Sequence, residues 1–262
     1  MDLGLRGKSV LVTGGSKGLG LACAAAFAAE GARVAIASRS GANLEAAVAS
    51  LRAQGCEALA IEADLSAPEA AQRMVDAALR ELGAIDVLIN SAGAAKRADP
   101  RNVDVRAWHD AMDAKYFTYV HAMQAVLPGM LERKCGAIVN IVGIGGKVAN
   151  PWHLPGGAAN AALMLVSAGL AAAHGRAGIR VNAINPGLAF TERLRAGHTA
   201  EAAAHNISID ELIRRGEALV PLGRYARAEE VADVAVFLAS DRASYVTGAV
   251  LGMDGALTPL VV

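Results

Sequence analysis

The chain has 262 residues, enough for one large α/β domain with a full core, and 54% of them are hydrophobic, much of that alanine, which excludes a disordered chain. Formal net charge is zero, from 25 basic and 25 acidic side chains, so the chain carries no electrostatic footprint for nucleic acid and is neutral enough to associate with copies of itself. No apolar run reads as membrane-spanning, the start Met1-Asp-Leu-Gly-Leu-Arg-Gly-Lys8 has no signal-peptide layout, and Cys23, Cys56 and Cys135 are too scattered for a disulfide framework or a metal site, so a cytoplasmic protein with three buried small thiols is expected.

In chain order, short β-branched runs alternate with Ala/Leu-rich stretches. Strands are expected at Ser9–Thr13, Arg33–Ser38, Ala58–Glu62, Val87–Asn90, Ala137–Val142, Arg180–Ile184 and Ala249–Met253, with helical patterns at 18–29, 42–53, 67–82, 104–131, 156–174 and 228–239. Such alternation implies parallel crossover units. The expected fold is a single α/β domain over residues 1–262, a Rossmann-type doubly wound sheet of about seven parallel strands with helices on both faces. The segment 191–216 breaks this rhythm. It is polar, carries Glu192, Arg193, Arg195, His198 and His205, and sits past the end of a strand, where a substrate lid belongs.

The first strand runs into Gly14-Gly-Ser-Lys-Gly-Leu-Gly20 and then into a helix. Gly14 permits a tight turn, Gly18 removes the side chain that would block a pyrophosphate, and Gly20 allows close packing, while the helix N-terminus favours negative charge. A glycine triplet with a strand before it and a helix after it reads as a dinucleotide site, with Ser16, Lys17 and Leu19 in the same loop. The second strand ends in Ser38-Arg39, with no carboxylate for a free ribose hydroxyl. Arg39 and Lys17 suit a 2′-phosphate, so NADP(H) is favoured over NAD(H).

The spacing T-G-x-x-x-G-x-G, with Asp64-Leu65, Asn90-Ser-Ala-Gly93, Val181-Asn-Ala-Ile-Asn-Pro-Gly187, Pro221-Leu-Gly-Arg224, Val246-Thr-Gly248 and Met253-Asp-Gly255, resembles the short-chain dehydrogenase/reductase family, including its 3-oxoacyl-carrier-protein reductases. The resemblance covers essentially the whole chain. It implies that Asp64 and Leu65 meet the adenine, that Asn90, Ala92 and Gly93 line the ribose, and that Pro186, Gly187 and Thr191 hold the nicotinamide carboxamide. Asp86 and Asn182 also match and read as structural.

The same resemblance implies a catalytic asparagine, serine, tyrosine and lysine. In register those positions are Lys115, Gly143, Gly156 and Asn160. No serine lies between Ser91 and Ser167, no tyrosine between Tyr119 and Tyr225, no threonine between Thr118 and Thr191, and Lys147 is the last lysine. A positioned general acid is worth about 10²–10⁴ in rate, so ordinary ketone reduction needs another proton source. Lys115, on a helix bordering the nicotinamide, is the first candidate and His153, one turn before Gly156, the second. Lys147 could reach the cleft from the loop after the fifth strand but reads rather as a solvated loop residue, and Tyr116 reads as core or interface. Loss of two side chains at Gly143 and Gly156 should widen the space there, and the helix opening at Pro155-Gly-Gly157 beside Lys115 could hold a carboxylate or phosphate, unless Trp152 fills that space.

Three functions stay open: an NADP-dependent oxidoreductase with a rearranged proton donor, a catalytically silent dinucleotide-binding relative or inactive subunit, and a non-redox lyase or hydratase. A small-molecule substrate is expected, with no nucleic-acid or membrane partner. Helices 104–131 and 156–174 read as apolar all round, with Met112, Met123, Leu163, Met164 and Leu170 as examples, and Leu257-Thr-Pro-Leu-Val-Val262 is apolar as well. In the resembled family such helices form a dimer bundle, which implies a homotetramer or at least a homodimer.

Overall fold

Strand β1 (Ser9–Thr13) is buried along its whole length, because its alternate side chains enter different cores. Leu11 joins one apolar cluster, while Val10 and Val12 join the other. A strand covered on both faces needs this unbroken apolar run. The computed structural model describes residues 1–259 apart from 94–97, 193, 196–197, 200–201 and 203–205.

Six further strands join β1 in one parallel sheet: β2 (Arg33–Ser38), β3 (Ala58–Glu62), β4 (Val87–Asn90), β5 (Gly136–Ile141), β6 (Ile179–Pro186) and β9 (Val250–Met253), in the order β3-β2-β1-β4-β5-β6-β9. The chain winds outward from β1 to β3, then returns to the far side of β1. The carboxyl ends of β1 and β4 therefore flank the switch point at which such sheets bind ligands. Helices α1 (Gly18–Ala29), α2 (Gly41–Ala53) and α8 (Ala228–Ala239) supply the core on one face. Helices α3 (Pro68–Leu82), α5 (Thr118–Arg133) and α6 (Leu154–His174) supply it on the other.

The expected long helix at 104–131 is present as one continuous helical run with a change of pitch. It consists of α4 (Val105–Ala111), a π-helical turn (Met112–Phe117) and α5, which runs on to Arg133. The lid segment is also more regular than expected. Ser208 caps α7 (Ile209–Ala218) by accepting from the Glu211 N–H at 3.1 Å, and the short parallel pair β7 (Ala189–Phe190) and β8 (Ala226–Arg227) ties the two ends of the excursion together. Arg193 and His205 lie outside the described residues.

Two further expectations are corrected. The stretch Pro151–Ala177 is long and apolar enough to cross a membrane by length and composition. It contains α6, whose Ala159, Leu163, Ser167 and Ala171 are buried against the rest of the domain. Of the cysteines, Cys23 alone is buried, and burial pushes its thiol up to about 12; Cys56 is half-buried and Cys135 exposed.

Asp86 and Asn182 serve the scaffold. Asp86 accepts from the Ser9 N–H, and the Asn182 amide joins Val246 O to the Ala249 N–H ahead of β9. Arg180 donates to the carbonyls of Leu238, Ala239 and Ser240 and so closes the C-terminus of α8, at the cost of a guanidinium whose pKa is lowered by burial. Arg224 grips Glu230 through two hydrogen bonds of 2.7 and 2.8 Å, while Glu230 also accepts from the Arg227 N–H at the start of α8. These contacts, that of the Arg224 side chain first, pull the Glu230 carboxyl down to about 2.

A depressed carboxylate stabilises the fold fully above its unfolded value and loses that contribution as pH falls through its folded value. The stability advantage of the native chain over Arg224→Met should therefore shrink between about pH 5 and pH 2. Unfolding curves measured across that range test this, and a difference independent of pH would refute it.

Candidate active site

Gly14 has φ +65°, and a Cβ there would lie 2.7 Å from the Ala92 backbone, so the turn after β1 rests directly on the exit of β4. A Cβ on Gly20 would come within 2.3 Å of Gly14 O, closing the loop on its own helix. At Gly18, φ +53°, an added Cβ would meet only the Thr191 side chain, at an ordinary contact distance of 3.5 Å. Lys17 precedes α1 in extended conformation and makes no side-chain cap, and the first turn of α1 has no acidic residue. Uncapped N–H groups around a cradle that a single Cβ would intrude upon fit a pyrophosphate.

The Ser16 hydroxyl donates to Ser38 Oγ at 2.9 Å and joins this loop to the end of β2. Lys17 and Arg39 are both exposed. Arg39 borders a cleft of about 480 Å³ together with Glu62, Asp64, Ser66 and Arg73. Leu65 is buried beneath it, and its carbonyl meets His121 Nδ1 at 2.9 Å.

A chain of buried hydrogen bonds crosses three strands. Thr13 Oγ1 donates to Asn90 Oδ1 at 3.0 Å, Asn90 Nδ2 to Asn140 Oδ1 at 2.9 Å, Asn140 Nδ2 to Ser167 Oγ at 2.9 Å, and Ser167 Oγ to Leu163 O at 2.7 Å. The Asn90 side chain therefore points into the sheet, and a ribose would meet the backbone beyond it at Ser91–Gly93. Nothing in the spacing of Asn140 and Ser167 marks them in the sequence, because the relay exists only once β5 and α6 are packed.

Lys115 lies inward, in the π turn. Its Nζ donates to Tyr119 Oη at 2.8 Å and to Ile141 O at 3.1 Å, and sits 4.4 Å from the Tyr119 ring centroid. Tyr119 is wholly buried and donates to the same carbonyl at 2.6 Å. Gly93, at φ +120°, makes room for this side chain: a Cβ there would stand 3.0 Å from Lys115 Cδ. Lys115 thus threads between the exits of β4 and β5. Tyr116, the adjacent tyrosine, instead packs edge-on to Phe117 with ring centroids 5.1 Å apart.

Past β5, Gly143 adopts φ +109°, where only glycine is at ease, and an added Cβ would lie 3.4 Å from Asn160 Nδ2. Asn160 is 94% buried by its 6% exposure, and its Oδ1 has no hydrogen-bond partner. Gly156 is buried in the first turn of α6. The widened space expected here is partly closed by backbone, since a Cβ on Gly157 would meet Gly145 O at 2.8 Å and one on Gly146 would meet Ala161 N at 2.6 Å. His153 borders the same loop, with its Cδ2 3.3 Å from an added Gly145 Cβ. Trp152 is 55% exposed. Lys147 turns away and donates to Val250 O at 3.3 Å. At the far edge, Gly187 N–H bonds to Met253 O, fixing the Pro186–Gly187 corner, and Thr191 Oγ1 accepts from the Leu194 N–H.

Residues 14–258 match the family described as enoyl-(acyl carrier protein) reductase. The chain is 36% identical to the D-threitol dehydrogenase of Mycolicibacterium smegmatis over 98% of its own length and 95% of that protein. It is 31% identical to a 3-oxoacyl-[acyl-carrier-protein] reductase of Staphylococcus epidermidis, covering 95% of this chain and 98% of the relative. Among solved structures, L-sorbose reductase from Gluconobacter frateurii, complexed with NADPH and L-sorbose, superposes with a TM-score of 0.94 at 30% identity and full coverage of both chains.

Placing a serine at 143 has to force an L-residue into this positive-φ conformation. Gly143→Ser should cost about 1–3 kcal/mol of stability. Chemical unfolding of the two proteins measures it, and a variant as stable as the native chain would contradict the strained geometry.

Proposed function

The chain belongs to the short-chain dehydrogenase/reductase family, and from that premise we propose that it is an NADP(H)-dependent oxidoreductase in which Lys115 supplies the proton to the substrate oxygen. The observation that carries this reading is the position of the Lys115 ammonium, held at the exit of β5 beside the glycine-rich β4 loop. By family resemblance, serine and tyrosine hydroxyls would stand at positions 143 and 156, which are glycines here.

NADPH, when bound, supplies a hydride. The residues for holding it are the Gly14–Gly20 loop and the start of α1 for the phosphates, Ser38, Arg39 and Lys17 for the 2′-phosphate, and Asp64 for the adenine. The Ala92–Gly93 backbone serves the ribose, and Pro186, Gly187 and Thr191 the carboxamide. Asn160 supports the fit, since its unpartnered buried oxygen can accept from a ribose hydroxyl.

Lys115 suits reduction for an elementary reason. An ammonium carries the proton that reduction must deliver, and its transfer to a developing alkoxide runs downhill. Alcohol oxidation would need the neutral amine instead. To act, Lys115 exchanges its hold on Ile141 O for the substrate oxygen. His153, whose ring borders Gly145, is the second candidate donor. The buried Tyr119 and the glycine-shaped backbone at 143 favour the alternative of a silent dinucleotide-binding protein. Turnover separates the two readings.

Fluorescence titration should give NADPH at least about tenfold tighter binding than NADH, with Arg39→Ala removing most of the difference. Over a panel of ketones and 3-oxoacyl thioesters, Lys115→Met should lower NADPH-dependent turnover by about 10²–10⁴ with the NADPH Kd unchanged, and His153→Ala should act less. Tight NADPH binding without turnover on any substrate selects the silent reading. Product formation without NADPH consumption selects a lyase or hydratase.

We also propose a homotetramer or homodimer through α4, α5 and α6. Most of the residues first singled out serve the core: Met123 and Leu163 are buried there, and Met164 and Leu170 pack against it. The outer face carries Val105, Trp108, Phe117 and Leu165 instead, the last 77% exposed. Leu260–Val262, expected at an interface, lie outside the described residues. Sedimentation velocity should show a dimer or tetramer that Leu165→Asp weakens, and a monodisperse native monomer would refute this.

A further inference from the structure

We infer that Tyr119 is the positioning residue for Lys115, its wholly buried phenol fixing the ammonium at the carboxyl end of β5. The inference rests on the reading of Lys115 as the proton donor. Three atoms bond to one another: Tyr119 Oη donates to Ile141 O at 2.6 Å, Lys115 Nζ donates to the same oxygen at 3.1 Å, and Lys115 Nζ donates to Tyr119 Oη at 2.8 Å. The phenol has given its single proton to the carbonyl, so it meets the ammonium as an acceptor. Each interaction fixes the direction of the others. The ring adds the attraction of its π face for a cation 4.4 Å from its centroid.

Shape alone does not require this residue. A phenylalanine would fill the same volume and keep the ring contact, whereas a buried hydroxyl is costly unless it is bonded. Lysine and tyrosine four residues apart share one helix face, so the pair is fixed locally once the π turn has directed Lys115 inward. Tyr119 is 0% exposed and so cannot touch a substrate. It acts through Lys115, with the phenol behind and the ammonium in front. Tyr116, turned towards Phe117, takes no part in this set.

The test is Tyr119→Phe in the full chain, read three ways. Competitive acetic anhydride labelling, resolved by peptide mass spectrometry against exposed Lys134 in the same molecule, should show Lys115 reacting about tenfold faster in the variant, as expected when a charge-assisted hydrogen bond is lost. The turnover number should fall while the NADPH Kd holds. In a stability cycle, Lys115→Met/Tyr119→Phe should recover part of what Tyr119→Phe loses, because it removes the ammonium that has lost its phenol acceptor. That third readout still decides if the single variant folds poorly. Unchanged labelling of Lys115 together with purely additive stabilities overturns the positioning role. Faster labelling in a protein whose turnover Lys115→Met leaves untouched upholds the positioning and instead refutes Lys115 as donor.

Discussion

The hydrogen-bonded relay from Thr13 through Asn90 and Asn140 to Ser167 is the interaction on which the site depends. It joins the strand that leads into the glycine loop, the strand that leads to Gly93, the strand that leads to Gly143, and the helix that carries Asn160. Four neutral polar side chains buried in an apolar interior would be destabilising singly. Linked in series, each supplies a partner to the next, and the relay ends on the Leu163 carbonyl. Slippage of any one of these elements would break a bond that no water can replace, so their relative heights are fixed. The close contacts above the relay, Gly14 on Ala92 and Gly157 on Gly145 O, depend on those heights.

On this frame the two halves of the site have different character. The half expected to take phosphates presents uncapped N–H groups and exposed Lys17 and Arg39, a surface prepared for anions. The half beyond β5 is built from glycine. Gly143 takes up a positive φ, and Gly146 and Gly157 let α6 and the loop approach closely. On the neighbouring element a π turn directs Lys115 to Ile141 O. Such a turn changes the direction of one side chain without interrupting the helix, a recurrent device at functional sites.

Most of the fold was legible in sequence. The short apolar runs of β1 to β4 were read with the limits the strands have, because each is bounded by polar or turn residues such as Thr13-Gly14, Ser38-Arg39 and Asn90-Ser91. The turn chemistry of Gly14, Gly18 and Gly20 was legible for a similar reason: only glycine serves at such contacts. Helix α7 was overlooked although Ser208 and Glu211 stand in the spacing of a helix cap, since its length is short and its surroundings polar. The π turn left no periodic signal of its own. Tyr119 was passed over for Tyr116, because the partner of a side chain four residues away shows only when the helix register around the turn is known. The scaffold role of Asn90 and the unpartnered oxygen of Asn160 are tertiary facts, set by β5 and α6 together.

The central claim is that this chain keeps a phosphorylated-dinucleotide site and presents an ammonium, in place of hydroxyls, to the reacting oxygen. A crystal structure of the complex with NADP⁺ and a bound carbonyl compound tests it most directly. The account predicts the 2′-phosphate between Lys17 and Arg39, and Lys115 Nζ as the side-chain donor hydrogen-bonded to the carbonyl oxygen. A nicotinamide ring with Lys115 still bound to Ile141 O and a different protein group on that oxygen, or a protein that takes up no dinucleotide, would contradict it.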